Sequence, residues 1–179
     1  MTKEALRTHM RQLRAAHAHS ASPLPTAEAL LSHPRVVAAR TVLLYHPLPD
    51  EVDTRPLLAA LTRCQCLLPV VVGDDLQLRR YTGELSVGAF GILEPVGDTF
   101  EALADIDLVI VPGMAFTRDG RRLGRGRGYY DRLFPRLTSA YRLGLCHEWQ
   151  LVDDIPTEPH DITMHSVFVM HNSQCTIHN

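Results

Sequence analysis

Between Val111 and Asp131 the chain reads VPGMAFTRDGRRLGRGRGYYD. An apolar run ends in a Pro112-Gly113 turn, and glycines follow at 120, 124, 126 and 128. Residues 118 to 132 hold six arginines against two aspartates, a local surplus of four positive charges in a chain whose formal net charge is -2. Alternating Gly and Arg from 124 to 128 lets the backbone curl with successive N–H groups facing inward, because glycine takes positive φ and carries no Cβ. Such a loop, placed after a strand C-terminus and before a helix N-terminus, suits a phosphate. The stretch lacks the lysine of G-x-x-x-x-G-K-[ST], so an ordinary P-loop is excluded. Lys3 is the candidate to supply that charge, since arginine fills the other seventeen of eighteen basic positions. Its compact ammonium fits a terminal phosphate oxygen. A preference for lysine near a chain start accounts for the same residue without any function. Arg7 falls one turn further along the same helix face, where it and Lys3 can clamp one polyphosphate.

Other polar and aromatic residues are less distinctive by themselves. His46 and Glu51 lie in the turn-forming HPLPDE segment, and Tyr129 and Tyr130 open the helix that follows the glycines. An aromatic pair at a helix start is about as often packing as recognition. Cysteines at 64, 66, 146 and 175 have no C-x-x-C spacing, which excludes a zinc knuckle and a thioredoxin-like redox site and favours a reduced, cytoplasmic setting. The remaining histidines have no recognised zinc spacing.

The elements that must position these residues follow from hydrophobic periodicity. Leu6, Met10 and Leu13 predict an amphipathic helix over 2–17, with Thr2 as N-cap and Lys3, Arg7, Arg11 and Arg14 along its other side. Ser20 to Pro25 reads as a linker, and a helix is expected from Ala27 to Ser32, stopped by Pro34. Short apolar runs at 41–45, 66–72 and 108–111 read as buried strands, 76–81 as a more polar one, and 141–145 and 165–170 as two further strands. Helices are expected over 52–61 and 127–137. At 179 residues, with 45% hydrophobic and 21% charged, the chain is one globular domain spanning 1–179, neither disordered nor a repeat. The expected architecture is α/β, a single layered domain with a mainly parallel sheet flanked by helices. No stretch approaches the roughly 18 apolar residues of a membrane span, and the charged N-terminus has no signal-peptide pattern. No membrane partner is expected.

The order of motifs resembles the 5-formyltetrahydrofolate cyclo-ligase family, also called 5,10-methenyltetrahydrofolate synthetases. The likeness runs over most of the chain. It comprises K-x-x-x-R (Lys3, Arg7), D-E-x-x-T (Asp50 to Thr54), Leu68 to Val70, G-I-L-E-P (Gly91 to Pro95), the long Pro112 to Asp131 run, and Q-L-V-D-D-I-P-x-E-x-H-D (Gln150 to Asp161). The long run is highly specific; the shorter pieces carry weight because they occur in sequence. The resemblance implies a fold like that of NagB/RpiA/CoA-transferase proteins and an ATP- and Mg²⁺-dependent closure of 5-formyltetrahydrofolate to 5,10-methenyltetrahydrofolate, with release of ADP and phosphate.

By that resemblance ATP is held by Lys3, Arg7, Arg122, Leu123, Gly124, Arg125, Gly126, Arg127, Gly128, Tyr129 and Tyr130. Lys3, Arg122, Arg125 and Tyr130 serve the chemistry, and His46, Glu51, Arg125 and Tyr129 border the folate, with Glu51 accepting from the pterin. Asp131 is implied as the Mg²⁺ ligand. Position 165, where the resemblance calls for a second metal-binding aspartate, is occupied by His165, and imidazole is a poor ligand for so hard an ion, so weakened Mg²⁺ binding is expected unless Asp161 or water fills the gap. The alternative is that residue 165 faces solvent and that Asp131 with the ATP phosphates holds the ion alone. A monomer acting on a small molecule is expected. Two other readings stay open on the residues alone. One is a sugar-phosphate or acyl-transfer enzyme with an anion-binding loop; the other is an RNA-binding module built on the Arg-Gly stretch, against which the net charge tells.

Overall fold

In a computed structural model, residues 1–17, 24–88, 91–170 and 175–178 are described. The chain opens with helix α1 (Lys3–His17), whose Thr2 Oγ1 accepts from the Ala5 amide at 3.2 Å as the sequence led us to expect. Most of the Ser20–Pro25 linker lies outside the described residues. Next come α2 (Leu24–Leu31), α3 (Pro34–Ala38), β1 (Thr41–Leu43), α4 (Arg55–Ala60), β2 (Gln65–Val72) and β3 (Asp75–Arg80). The hairpin β4 (Leu85–Val87) and β5 (Leu93–Pro95) precedes β6 (Leu108–Val111), and the short pair β7 (Ala115–Phe116) and β8 (Arg122–Leu123) leads into α5 (Tyr129–Leu133). Strands β9 (Tyr141–His147), β10 (Ser166–Met170) and β11 (Cys175–His178) finish the chain.

Seven strands form one sheet in the order β11-β10-β9-β6-β1-β2-β3. The five inner strands pair in parallel, and β3 and β11 close the two edges antiparallel. The strand pleat alternates side chains between faces. Val42, Leu44, Leu68, Ile110 and Phe168 therefore face a core shared with α2, α3 and α4, while Leu43, Leu67, Val109, Val167 and Val169 face a second core with Phe116, Leu133 and Phe134. Leu6 and Met10 of α1 pack with Met114, Ala115, Leu123 and Ile155, which fixes that helix against the glycine-rich segment. Among the described residues no helix is long and apolar enough to cross a membrane.

Several expected boundaries move for local reasons. Pro34 begins a helix rather than ending one, because its missing N–H is harmless at the first position, and His33 Nδ1 caps the Arg35 amide at 3.1 Å. The helix expected from 52 starts at Arg55, since Val52 is buried, the Thr54 hydroxyl donates to the Tyr45 carbonyl at 2.6 Å, and Pro56 suits only the first turn of a helix. The helix expected over 127–137 shrinks to α5, because Gly128 is left-handed (φ 68) and Pro135 turns the continuation into a 3₁₀ turn at Phe134–Arg136. Strands β4, β5, β7, β8 and β11 were not expected.

Candidate active site

The parallel strands β1, β2 and β6 deliver their C-terminal ends to one side of the sheet, where two cavities meet. The first, about 380 Å³, is mostly apolar: Tyr45, His46, Leu48 and Glu51 come from the loop after β1, Pro69 and Val71 from β2, and Ile92 to Glu94 from the β4–β5 hairpin. The second, about 460 Å³, is polar, lined by Lys3 and Arg7 of α1, by Glu158, His160 and Asp161, and by the glycines. Arg122, Gly124, Gly128 and Asp131 line both, so the glycine-rich segment is a common wall.

That wall can be thin because of its glycines. Gly126 (φ 94) and Gly128 (φ 68) are left-handed, and a Cβ on Gly126 would stand 3.4 Å from the Arg7 guanidinium carbon. Arg7 Nε donates to the Gly124 carbonyl at 3.0 Å, joining α1 to the loop. Arg122, with a side chain only 6% exposed, donates to Asp131 Oδ1 at 3.0 Å and to the Pro112 carbonyl at 3.2 Å, and lies over the rings of Tyr130 and Phe134. Helix α5 is a single turn and a half, so the positive field here comes from arginine side chains and loop amides more than from a helix dipole.

In the first cavity Glu51 Oε2 accepts from the Leu48 amide at 3.0 Å, and its Oε1 accepts from Arg125 at 3.2 to 3.3 Å. Burial pushes the Glu51 carboxyl above its ordinary range, while Arg125 and the Leu48 amide pull it partly back. Burial raises the Tyr130 phenol well above its usual value and lowers His46. Tyr129 lines the cavity, with Arg132 over its ring. Leu123 and Gly126 face the second cavity, whereas Arg125 and Arg127 face the first.

In the second cavity Lys3 Nζ donates to both oxygens of Asp161 at 2.7 and 2.8 Å and to Glu158 at 3.1 Å. Burial opposes ionisation of Asp161, but the bonds from Lys3 and the Glu158 amide outweigh it and hold the carboxyl below its usual range. Ligand atoms of Glu158, His160 and Asp161 lie within 4.8 Å of one another, and Asp131 faces the same space.

The structure thus gathers Lys3, Arg7, Arg122 and Asp131 around one cavity and His46, Glu51, Arg125, Arg127, Tyr129 and Tyr130 around the other. It does not bring His165 to Asp131. His165 lines neither cavity: its Nδ1 accepts from the Arg142 amide at 2.9 Å and its ring stacks on Tyr141 at 4.8 Å. The carboxylates that share the polar cavity with Asp131 are Asp161, which the sequence offers as a substitute for the missing aspartate, and Glu158, which it does not single out within P-x-E-x-H-D. Glu94, which has no distinguishing sequence signal beyond G-I-L-E-P, is buried and accepts from the Val71 amide at 3.1 Å, fastening the hairpin to β2. Trp149 stacks between His17 and His147 and lines neither cavity.

Residues 1–170 match the model of the 5-formyltetrahydrofolate cyclo-ligase family. The 5-formyltetrahydrofolate cyclo-ligase of Mycolicibacterium smegmatis is 36% identical over 140 residues, covering 72% of each chain, and that of Escherichia coli K12 is 34% identical over 149 residues, covering 77% of this chain and 82% of the other. The solution structure of Aquifex aeolicus 5,10-methenyltetrahydrofolate synthetase superposes with a TM-score of 0.77 at 31% identity, covering 95% of this chain and 91% of that one. The sheet order, the folded rather than tail-like Arg-Gly segment and these matches agree: the chain is an enzyme of the 5-formyltetrahydrofolate cyclo-ligase family.

Proposed function

We propose that the chain converts 5-formyltetrahydrofolate to 5,10-methenyltetrahydrofolate using ATP, with the folate in the apolar cavity and the triphosphate in the polar one. The observation that carries this reading is the shared wall. Arg122, Gly124, Gly128 and Asp131 border both cavities, so a γ-phosphate in one and a formyl oxygen in the other would meet at the edge the cavities share, in the direct contact that an in-line transfer requires.

A formamide oxygen is a poor leaving group, so attack by N10 on the formyl carbon alone would have to expel hydroxide. Transfer of the γ-phosphoryl group to that oxygen breaks the bond to ADP and leaves a phosphate ester. N10 then bonds to the formyl carbon, phosphate departs with the C–O electron pair, and the N10 proton is lost. Lys3 and Arg7 hold the phosphate oxygens, Arg122 meets charge at the wall between the cavities, and loop amides complete the cradle. Glu51 accepts from the planar N–H edge of the pterin, and Arg125 keeps that carboxylate ionised and oriented. Tyr130 closes the wall beside Arg122.

The residues also fit Mg²⁺, because Asp131, Asp161 and Glu158 offer the hard oxygen ligands it prefers, and the Lys3 ammonium already rests between two of them. Bound there, the ion would neutralise phosphate charge. Asp161→Asn is expected to raise the Mg²⁺ concentration for half-maximal activity by roughly tenfold or more. His165→Asp is expected to leave it unchanged; a lowered requirement in that variant would return position 165 to the metal site.

The function is tested by measuring phosphate and methenyl product together: equal amounts are expected, and turnover without ATP would sink the phosphorylation step. Recognition by Glu51 makes a second expectation. Its ionised form accepts, so kcat/KM for the folate falls as pH drops through its pKa. Burial places that pKa above the ordinary 4.5, and the acid limb lies correspondingly high. Glu51→Gln raises KM by about 10- to 100-fold, the worth of a charged hydrogen bond, and removes the limb. An unchanged KM would refute the assignment.

A further inference from the structure

Asp50 lines neither cavity and has no part in the mechanism above, yet its side chain is only 8% exposed. Its Oδ2 accepts from Arg125 Nη2 at 2.7 Å and faces Arg14 Nη1 at 3.4 Å. Its Oδ1 is buried with no hydrogen-bond partner among the described residues. A carboxylate at this depth with one oxygen unpaired is costly, and the two guanidinium contacts are what offset that cost.

The two arginines come from different parts of the site. Arg14 sits in the last turn of α1, the helix that carries Lys3 and Arg7 into the polar cavity. Arg125 belongs to the glycine-rich wall and also reaches Glu51 Oε1 in the apolar cavity. Asp50 is bonded through the backbone to Glu51 itself. One short side chain therefore ties together the helix over the polar cavity, the wall between the cavities and the carboxylate of the apolar one.

We infer that Asp50 is a positioning residue that couples occupancy of the two cavities: through Arg14 and Arg125 it makes the placement of the nucleotide-holding elements depend on the placement of Glu51. The inference rests on the assignment of folate and nucleotide to these cavities. Its physical basis is shared ordering. A first ligand that fixes Arg125 and α1 bears a cost the second ligand no longer meets, and the coupling must then be equal in both directions. Charge-assisted bonds from a rigid guanidinium fork transmit position better than single neutral contacts do.

The test is calorimetric titration of the magnesium complex of a non-hydrolysable ATP analogue, with and without saturating 5-formyltetrahydrofolate, and the converse titration. In the wild type each ligand is expected to tighten the other by the same factor, about fivefold or more. Asp50→Asn brings that factor to about one, and Asp50→Glu restores part of it. Arg14→Gln, on the more exposed partner, releases the α1 arm alone and lowers the factor as well, which keeps the experiment decisive if Asp50→Asn does not fold. A wild type that binds neither ligand overturns the cavity assignment and the inference with it. A wild type that binds both with a factor of one, or variants whose factor is unchanged, overturns the coupling alone.

Discussion

Lys3→Met is expected to lower kcat by roughly 10²- to 10³-fold, the loss typical of removing one preorganised electrostatic contact to the transition state, while the fold survives. Helix α1 keeps its apolar anchors Leu6 and Met10, both 1% exposed, so the substitution spares the packing although it removes the bonds from Lys3 to Asp161 and Glu158. Methionine keeps the unbranched stem and deletes only the charge. In the structure that charge is shared between Asp161 and Glu158; in the proposed complex its anion would be a phosphate oxygen of the triphosphate. The measurement is the rise in methenyl absorbance at saturating ATP beside a thermal melt. A rate within about threefold of wild type would show that Lys3 merely neutralises two carboxylates. Because no other lysine exists, acylation of side-chain amines reports this residue alone, and ATP should protect it.

Arg122→Met is the second large effect, and it is expected to damage both rate and stability. The guanidinium is buried against Asp131, the Pro112 carbonyl and two aromatic faces. Breaking a buried pair from one side costs about 3 to 5 kcal/mol, and Asp131, at 27% exposed, can rehydrate enough to keep the loss near the lower end. The rate is expected to fall by about 10³, since Arg122 lines both cavities and so would meet both of the proposed ligands. Arg122→Lys should recover part of the stability but little of the rate, because a point charge cannot serve Asp131, a carbonyl and a phosphate at once. Denaturant midpoints and kcat for the two variants separate these claims, and a destabilised Arg122→Met with unimpaired kcat would confine the residue to a packing role.

Much of this arrangement is legible in the order of residues. Inner strands such as β6 (LVIV) are covered on both faces, so they read as unbroken apolar runs, and the glycines and arginines between 120 and 128 announce their loop directly. Lys3 and Arg7 are legible because one helix turn separates them. The failures share a cause. Whether Asp161 or His165 meets Asp131 depends on how the tail crosses the ends of β9 and β10, which spacing does not encode. Glu94 and Asp50 owe their roles to partners 23 and 75 residues away. The apolar periodicity through Leu133, Phe134 and Leu137 suggests a long helix, and only the left-handed Gly128 and the ring of Pro135 shorten it.

The shared wall also bears on how such an enzyme changes over time. Ile92, Leu93 and Pro69 touch only the apolar cavity, and Glu158 and His160 touch only the polar one. On the proposed assignment, substitutions in the first group would retune which pterin is accepted without disturbing the phosphoryl donor, whereas Gly124 and Gly128, which line both cavities, would answer to both ligands and be free to drift toward neither. Selection, or a medicinal chemist seeking an inhibitor of the proposed folate cavity alone, has most room on the β4–β5 hairpin side.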